Sequence, residues 1–177
     1  MNERAMMHRA ILIAGAVMVV ALVLAAFSLR LRPAGPAALA SSMGAEFLGT
    51  ERVTFQSARN DCGPAALTML LNDRGAVVDE ETLLSFMTLT ERGASMQQMA
   101  DASARYGVRL TGWNLDPADL AARPFPMILL LRRPHYIVAD SLREGMLFIR
   151  DPSVGRMRIA MSALEKVWEG NVLVITD

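Results

Sequence analysis

The chain holds one cysteine, Cys62, and one histidine outside its apolar leader, His135. A thiol nucleophile needs a base to take its proton and a third group to orient the imidazole and support its cationic form. Cys62, His135 and Asp151 are those three residue types. Cys62-Gly63-Pro64 opens the apolar run Ala65 to Leu71, and Pro64 suits a first helical turn, where its missing N–H costs nothing. This puts Cys62 at a helix N-terminus, where the macrodipole favours a thiolate over a thiol. His135 begins an apolar strand 73 residues later, and Asp151 follows it by 16 across one hairpin. The start of one hairpin strand lies beside the end of its partner, so the two can be neighbours. The backbone N–H of Cys62 and the amide of Gln56, six residues upstream, are candidate donors to an oxyanion.

Each residue also has an ordinary structural explanation. Cysteine is among the most buried residue types, His135 suits a satisfied core histidine, and Asp151 before Pro152 is first of all a turn residue. Gln56 alone reads as a solvated loop amide and Asp61 as a helix N-terminal carboxylate. Asp140 is a second candidate for orienting His135. Only the combination argues for catalysis.

The elements that must position these residues follow from local signals. After the helix behind Cys62, Asp79 is an N-cap, with Leu83 and Leu84 on the apolar side of a short helix. Ser95 with Gln98 makes a capping box for a third helix, which Gly107 stops. Strands are predicted at Val108 to Trp113, Met127 to Leu131, His135 to Ala139, Met146 to Arg150, Arg156 to Ile159 and Val172 to Ile175. The turns Leu142 to Gly145 and Asp151 to Gly155 have hairpin chemistry. Helices first and strands second predict an α+β fold, helices packed on an antiparallel sheet, and argue against a doubly wound nucleotide binder.

Lys+Arg and Asp+Glu number 18 each, so no basic excess suggests a nucleic-acid partner. At 53% hydrophobic and 20% charged residues the chain is not intrinsically disordered. A lone cysteine excludes an intramolecular disulfide, and no Cys/His cluster has zinc-ligand spacing, so neither metal nor cofactor is expected. Ala10 to Leu29 is 20 residues without a charge, enough for one transmembrane helix. A cleaved signal peptide is the rival reading, since Ala38-Leu39-Ala40 has the small-x-small form. The chain therefore reads as a tail over 1–9, a membrane helix over 10–29, a linker over 30–50 and a domain over 51–177. From Pro33 onward there are 14 Lys+Arg and 17 Asp+Glu, a mildly acidic body large enough for one core. Arg4 and Arg9 on one flank balance Arg30 and Arg32 on the other. The expectation is nonetheless a signal-anchored, single-pass protein of a bacterial inner membrane with its body in the periplasm.

Three stretches, FQSARNDCGPAAL (Phe55 to Leu67), PHYIVAD (Pro134 to Asp140) and DPSVG (Asp151 to Gly155), resemble the peptidase C39 family. These papain-like cysteine peptidases are best known as N-terminal domains of bacteriocin-exporting ABC transporters. The resemblance covers roughly Arg52 to Ile175 and implies a papain-like α+β fold. By position it makes Cys62 the nucleophile, His135 the general base and later acid, Asp151 the orienting carboxylate and Gln56 the oxyanion-hole donor. Pro134 and Pro64 depart from the family's usual residues, which bears on the shape of the substrate groove rather than on the chemistry. The resemblance also implies a peptide or protein precursor cut after a Gly-Gly type leader. No Walker motif follows, so a separate ABC transporter or secretion complex is the expected partner. The alternative it leaves open is a module that binds leader peptides without cleaving them.

Overall fold

The structure is a computed structural model that describes residues 13, 15–24 and 35–176. It divides into two units, Met1–Gly35 and Pro36–Asp177. In the first, residues 15–24 are helical, with Val17, Leu22 and Val23 exposed. The apolar segment Ala10 to Leu29 extends beyond the described residues at both ends. Among the described residues, no helix is long and apolar enough to cross a membrane.

The second unit begins with α1 (Pro36–Ser42) and β1 (Ala45–Gly49), followed by three helices, α2 (Cys62–Asp73), α3 (Glu80–Leu84) and α4 (Met96–Ala104). Then come β2 (Leu110–Asn114), a 3-10 turn (Pro117–Ala122), β3 (Met127–Leu131), β4 (His135–Arg143), β5 (Met146–Asp151), β6 (Gly155–Ala160), α5 (Met161–Leu164) and β7 (Trp168–Ile175). The seven strands form one sheet in the order β1-β6-β5-β4-β3-β7-β2, every pair antiparallel. The α+β architecture is thus the one predicted from the order of signals.

Residues 36–49 lie in the stretch read as a linker, yet they are folded. Ala45–Gly49 pairs along β6 as an edge strand, and Glu46 accepts from the Arg158 guanidinium at 2.6 Å. The contact depends on Gly155, at φ +127°, where a Cβ would lie 2.7 Å from the Gly49 carbonyl oxygen. A side chain there would push β1 off the sheet.

Local signals set the helix ends. The Asp79 side chain accepts from the Thr82 N–H, and Ser95 with Gln98 closes a reciprocal capping box. Every residue from Cys62 to Leu71 is buried, so α2 has no solvent face along its first ten residues and runs through the interior. Leu67, Leu70 and Leu71 of α2 and Met99 of α4 pack on Ile128, Tyr136, Val138 and Leu173 of the sheet. On the other face Leu129, Ile137, Ile149, Met157 and Val172 are covered by Ala40, Leu120 and Leu164. Neighbours along β3 and β4 go to opposite layers, so these central strands are apolar on both faces. At about 1.5–3 kcal/mol per buried large aliphatic side chain, the two layers hold α2 and β4 in fixed relation.

Candidate active site

Cys62 is the first residue of α2 and is buried. The loop before it is wound by Asp61, whose Oδ2 accepts from the Ser57 N–H (3.0 Å), the Ser57 hydroxyl (2.7 Å) and the Ala58 N–H (2.7 Å). Gly63 decides how closely the helix start approaches the sheet. A Cβ there would lie 3.0 Å from Met99 Sδ and 3.2 Å from Tyr136 Cδ2, so without one α2 rests directly on β4 beside His135. The Cys-Gly pair therefore combines a reactive group with the contact that delivers it.

His135 is the first residue of β4, and its Nε2 lies 2.8 Å from Asp151 Oδ1 at the end of β5. The pairing Val138 with Arg150, carried along the ladder, sets Asp151 one diagonal step from His135. Asp151 is 1% exposed, and its Oδ1 also accepts from the Ser153 N–H and hydroxyl, each at 2.7 Å. Burial opposes ionisation, but the His135 hydrogen bond and charge, with the Ser153 donors, hold the Asp151 carboxyl below the usual carboxylate range. Burial likewise opposes a charged His135. The hydrogen bonds and charges of Asp151 and Cys62 overcome it and push the imidazole up to about 10. The surroundings of the ring therefore favour its charged form. With Nε2 committed to Asp151, Nδ1 is the nitrogen left for the sulfur. Tyr136, next along β4, is pushed up to about 12 by burial and by the charge at Cys62, and its hydroxyl donates to the Ala94 carbonyl at 3.1 Å.

Gln56 joins the two halves of the site through its backbone, its N–H donating to the Pro152 carbonyl at 3.0 Å. Its Nε2 donates to the Ala58 carbonyl at 2.6 Å. Asp140, the second candidate orienter, is not at His135. It accepts from Arg150 Nε at 3.0 Å and from Nη2 at 2.7 Å. The same buried guanidinium binds Asp73 at the end of α2 and donates to the Arg52 carbonyl at 3.1 Å. A register shift between Ala139 and Ser141 accompanies this. Arg150 thereby ties β5, which ends in Asp151, to the helix that begins with Cys62.

Sequence reasoning did not find Ser153, Arg150 or the loop-winding part of Asp61. Asp151-Pro152-Ser153 does carry an Asx-turn pattern that could have found Ser153. Arg150, between Ile149 and Asp151, gave no signal, since alternation in a strand assigns such a residue to solvent. Glu80, on α3, is raised to about 7 by burial and by the nearby Asp61 charge. Among the described residues, no three His, Cys, Asp or Glu side chains converge as metal ligands do.

A histidine bonded to a buried carboxylate, a helix-terminal cysteine and helices on an antiparallel sheet together suit the class of cysteine-peptidase domains. The match of residues 50–177 to the peptidase C39 family carries this further: the chain belongs to that family. It is 32% identical over 129 residues to an uncharacterized protein of Methanothermobacter marburgensis, covering 73% of this chain and 91% of that one. It is 27% identical over 125 residues to the probable functional amyloid protease FapD of Pseudomonas aeruginosa, covering 64% of this chain and 55% of that one. Its fold matches the crystal structure of a double glycine motif protease from an AMS/PCAT transporter in complex with the leader peptide. That match has a TM-score of 0.67 at 24% identity, over 70% of this chain and 89% of the other.

Proposed function

We propose that this protein is a cysteine peptidase that cleaves a precursor after a small-residue, Gly-Gly type leader during secretion. The observation that carries the reading is the His135 imidazole, bonded through Nε2 to a buried carboxylate and raised by its interaction with the only cysteine. In this reading Nδ1 holds the proton that Cys62 has given up, and the thiolate attacks the scissile carbonyl carbon. The Cys62 backbone N–H and the Gln56 amide then face the developing oxyanion. As the C–N bond breaks, His135 returns its proton to the leaving amine and an acyl-enzyme remains. Water, deprotonated by the same imidazole, then releases the acid. Asp151 holds the ring's orientation and supports its cation throughout. A small residue before the scissile bond is the family's hallmark and comes to this chain by membership.

The test is purified protein with a synthetic peptide spanning a Gly-Gly leader junction, followed by mass spectrometry. Cleavage after the second glycine that is lost in Cys62→Ala, with thermal unfolding retained, supports the reading. Binding without cleavage in the wild type refutes it in favour of a leader-binding module. We extend the proposal to a membrane-tethered form, with Ala10 to Leu29 as the single span, the body in the periplasm and a separate transporter or secretion complex as partner. Protection of the body from added protease in spheroplasts would reverse that orientation.

A further inference from the structure

Two pockets flank the candidate nucleophile and base, and their linings differ. One, of about 330 Å³, includes Cys62 with Arg59, Arg92 and Glu91. The other, of about 550 Å³, includes His135 and has an apolar floor of Met43, Leu131 and Val167 under Arg132, Arg133 and Lys166. Five of the 14 cations of a mildly acidic body thus line these two pockets. The Cys62 pocket carries a carboxylate among its cations, whereas the lining of the His135 pocket has none. Arg132 is paired with Glu169 at 3.5 Å, but among the described residues neither Arg133 nor Lys166 has a carboxylate within salt-bridge distance.

The chemistry orients a substrate across these pockets. The acyl carbon must sit over the Cys62 sulfur, and the leaving nitrogen must come within hydrogen-bond reach of the His135 ring to receive its proton. The chain after the scissile bond therefore leaves on the His135 side. We infer that the His135 pocket is the subsite for the residues following the scissile bond and that it selects an aliphatic side chain flanked by a carboxylate. The apolar floor takes the aliphatic group, and Arg133 and Lys166 at the rim supply the charge its neighbour needs. Single exposed ion pairs are weak, so the selectivity comes from two acting together and declines with added salt.

This inference rests on the peptidase reading, and its test separates the two. The full chain is given peptides with one common Gly-Gly leader, followed by Leu-Asp, Leu-Asn or Leu-Lys, and kcat/KM is measured at low and high ionic strength. Leu-Asp is expected to exceed Leu-Lys about tenfold at low salt, with Leu-Asn between them. In the double variant Arg133→Glu, Lys166→Glu the order should invert. In Arg133→Lys, Lys166→Arg it should persist, and circular dichroism melts of both variants establish that they fold. Cleavage of all three peptides at one rate, or an Asp preference unmoved by charge reversal, overturns the subsite and leaves the peptidase reading standing. Cleavage of none of the peptides by the wild type overturns the peptidase reading and the subsite with it.

Discussion

Replacing Asp151 by Asn removes a charge while keeping an oxygen that can accept the His135 Nε2–H, so it isolates the electrostatic part of the pairing. The rise of His135 from 6.5 to about 10 corresponds, at about 1.4 kcal/mol per pH unit, to ~5 kcal/mol in favour of the imidazolium. Asp151 and Cys62 share that work against the cost of burial. The Asp151 contact is 2.8 Å between nitrogen and oxygen, with the carboxylate buried and the His135 side chain 21% exposed. A pair of charges centred ~4 Å apart at an effective dielectric constant of about 20 interacts by ~4 kcal/mol, and burial and the retained hydrogen bond leave ~3 kcal/mol for the charge itself. The His135 midpoint should therefore fall by about two pH units, to about 8, in Asp151→Asn. The assay is an NMR titration of the histidine ring signals. The chain has only two histidines, and a His8→Gln variant assigns them. A midpoint that moves by less than about half a pH unit in Asp151→Asn refutes the assignment of Asp151 as orienter. So does a shift as large in Asp140→Asn, because Asp140 is committed to Arg150.

Gln56→Ala should lower kcat by about 10²–10³-fold with little change in KM, read from steady-state peptide cleavage, since the amide acts on charge present only in the transition state. Arg150→Met removes the buried partner of Asp140 and Asp73 and should cost about 3–5 kcal/mol in urea unfolding; a loss below ~1 kcal/mol would mean that the cluster is solvated. For pH dependence the sign follows from His135 being raised: its contribution to stability is complete below about pH 6.5 and is lost as pH rises through about 10. Urea midpoints should therefore fall over that window, and less steeply in Asp151→Asn. Glu80, raised to about 7, favours the fold when protonated, so Glu80→Gln should raise Tm by ~1–3 °C at pH 8 and leave it unchanged at pH 4.

Much of this protein can be read along the chain because the relevant signals are local. A proline inside a first turn, the Asp79 and Ser95 caps and strand-length apolar runs bounded by turn residues mark the helices and most strands within a few residues. The four candidate site residues are named from residue type and order, reinforced by the family's motifs, because the reacting groups must be those types whatever surrounds them. What the local pattern could not carry is pairing at a distance. β1 pairs with β6 where Gly155 lets it approach, and behind the Ala/Pro-rich stretch at Pro33 to Ala40 its five residues read as part of a linker. Asp140 and Asp151 are both aspartates near one hairpin, and chain order does not separate them. Register and the shift between Ala139 and Ser141 turn one onto Arg150 and the other onto His135. The burial of Arg150, 3% exposed in a strand position that alternation assigns to solvent, likewise follows from where the end of α2 comes to lie. Sequence periodicity records which side of an element is apolar, while the partner of each polar group depends on which elements meet, and only the folded chain decides that.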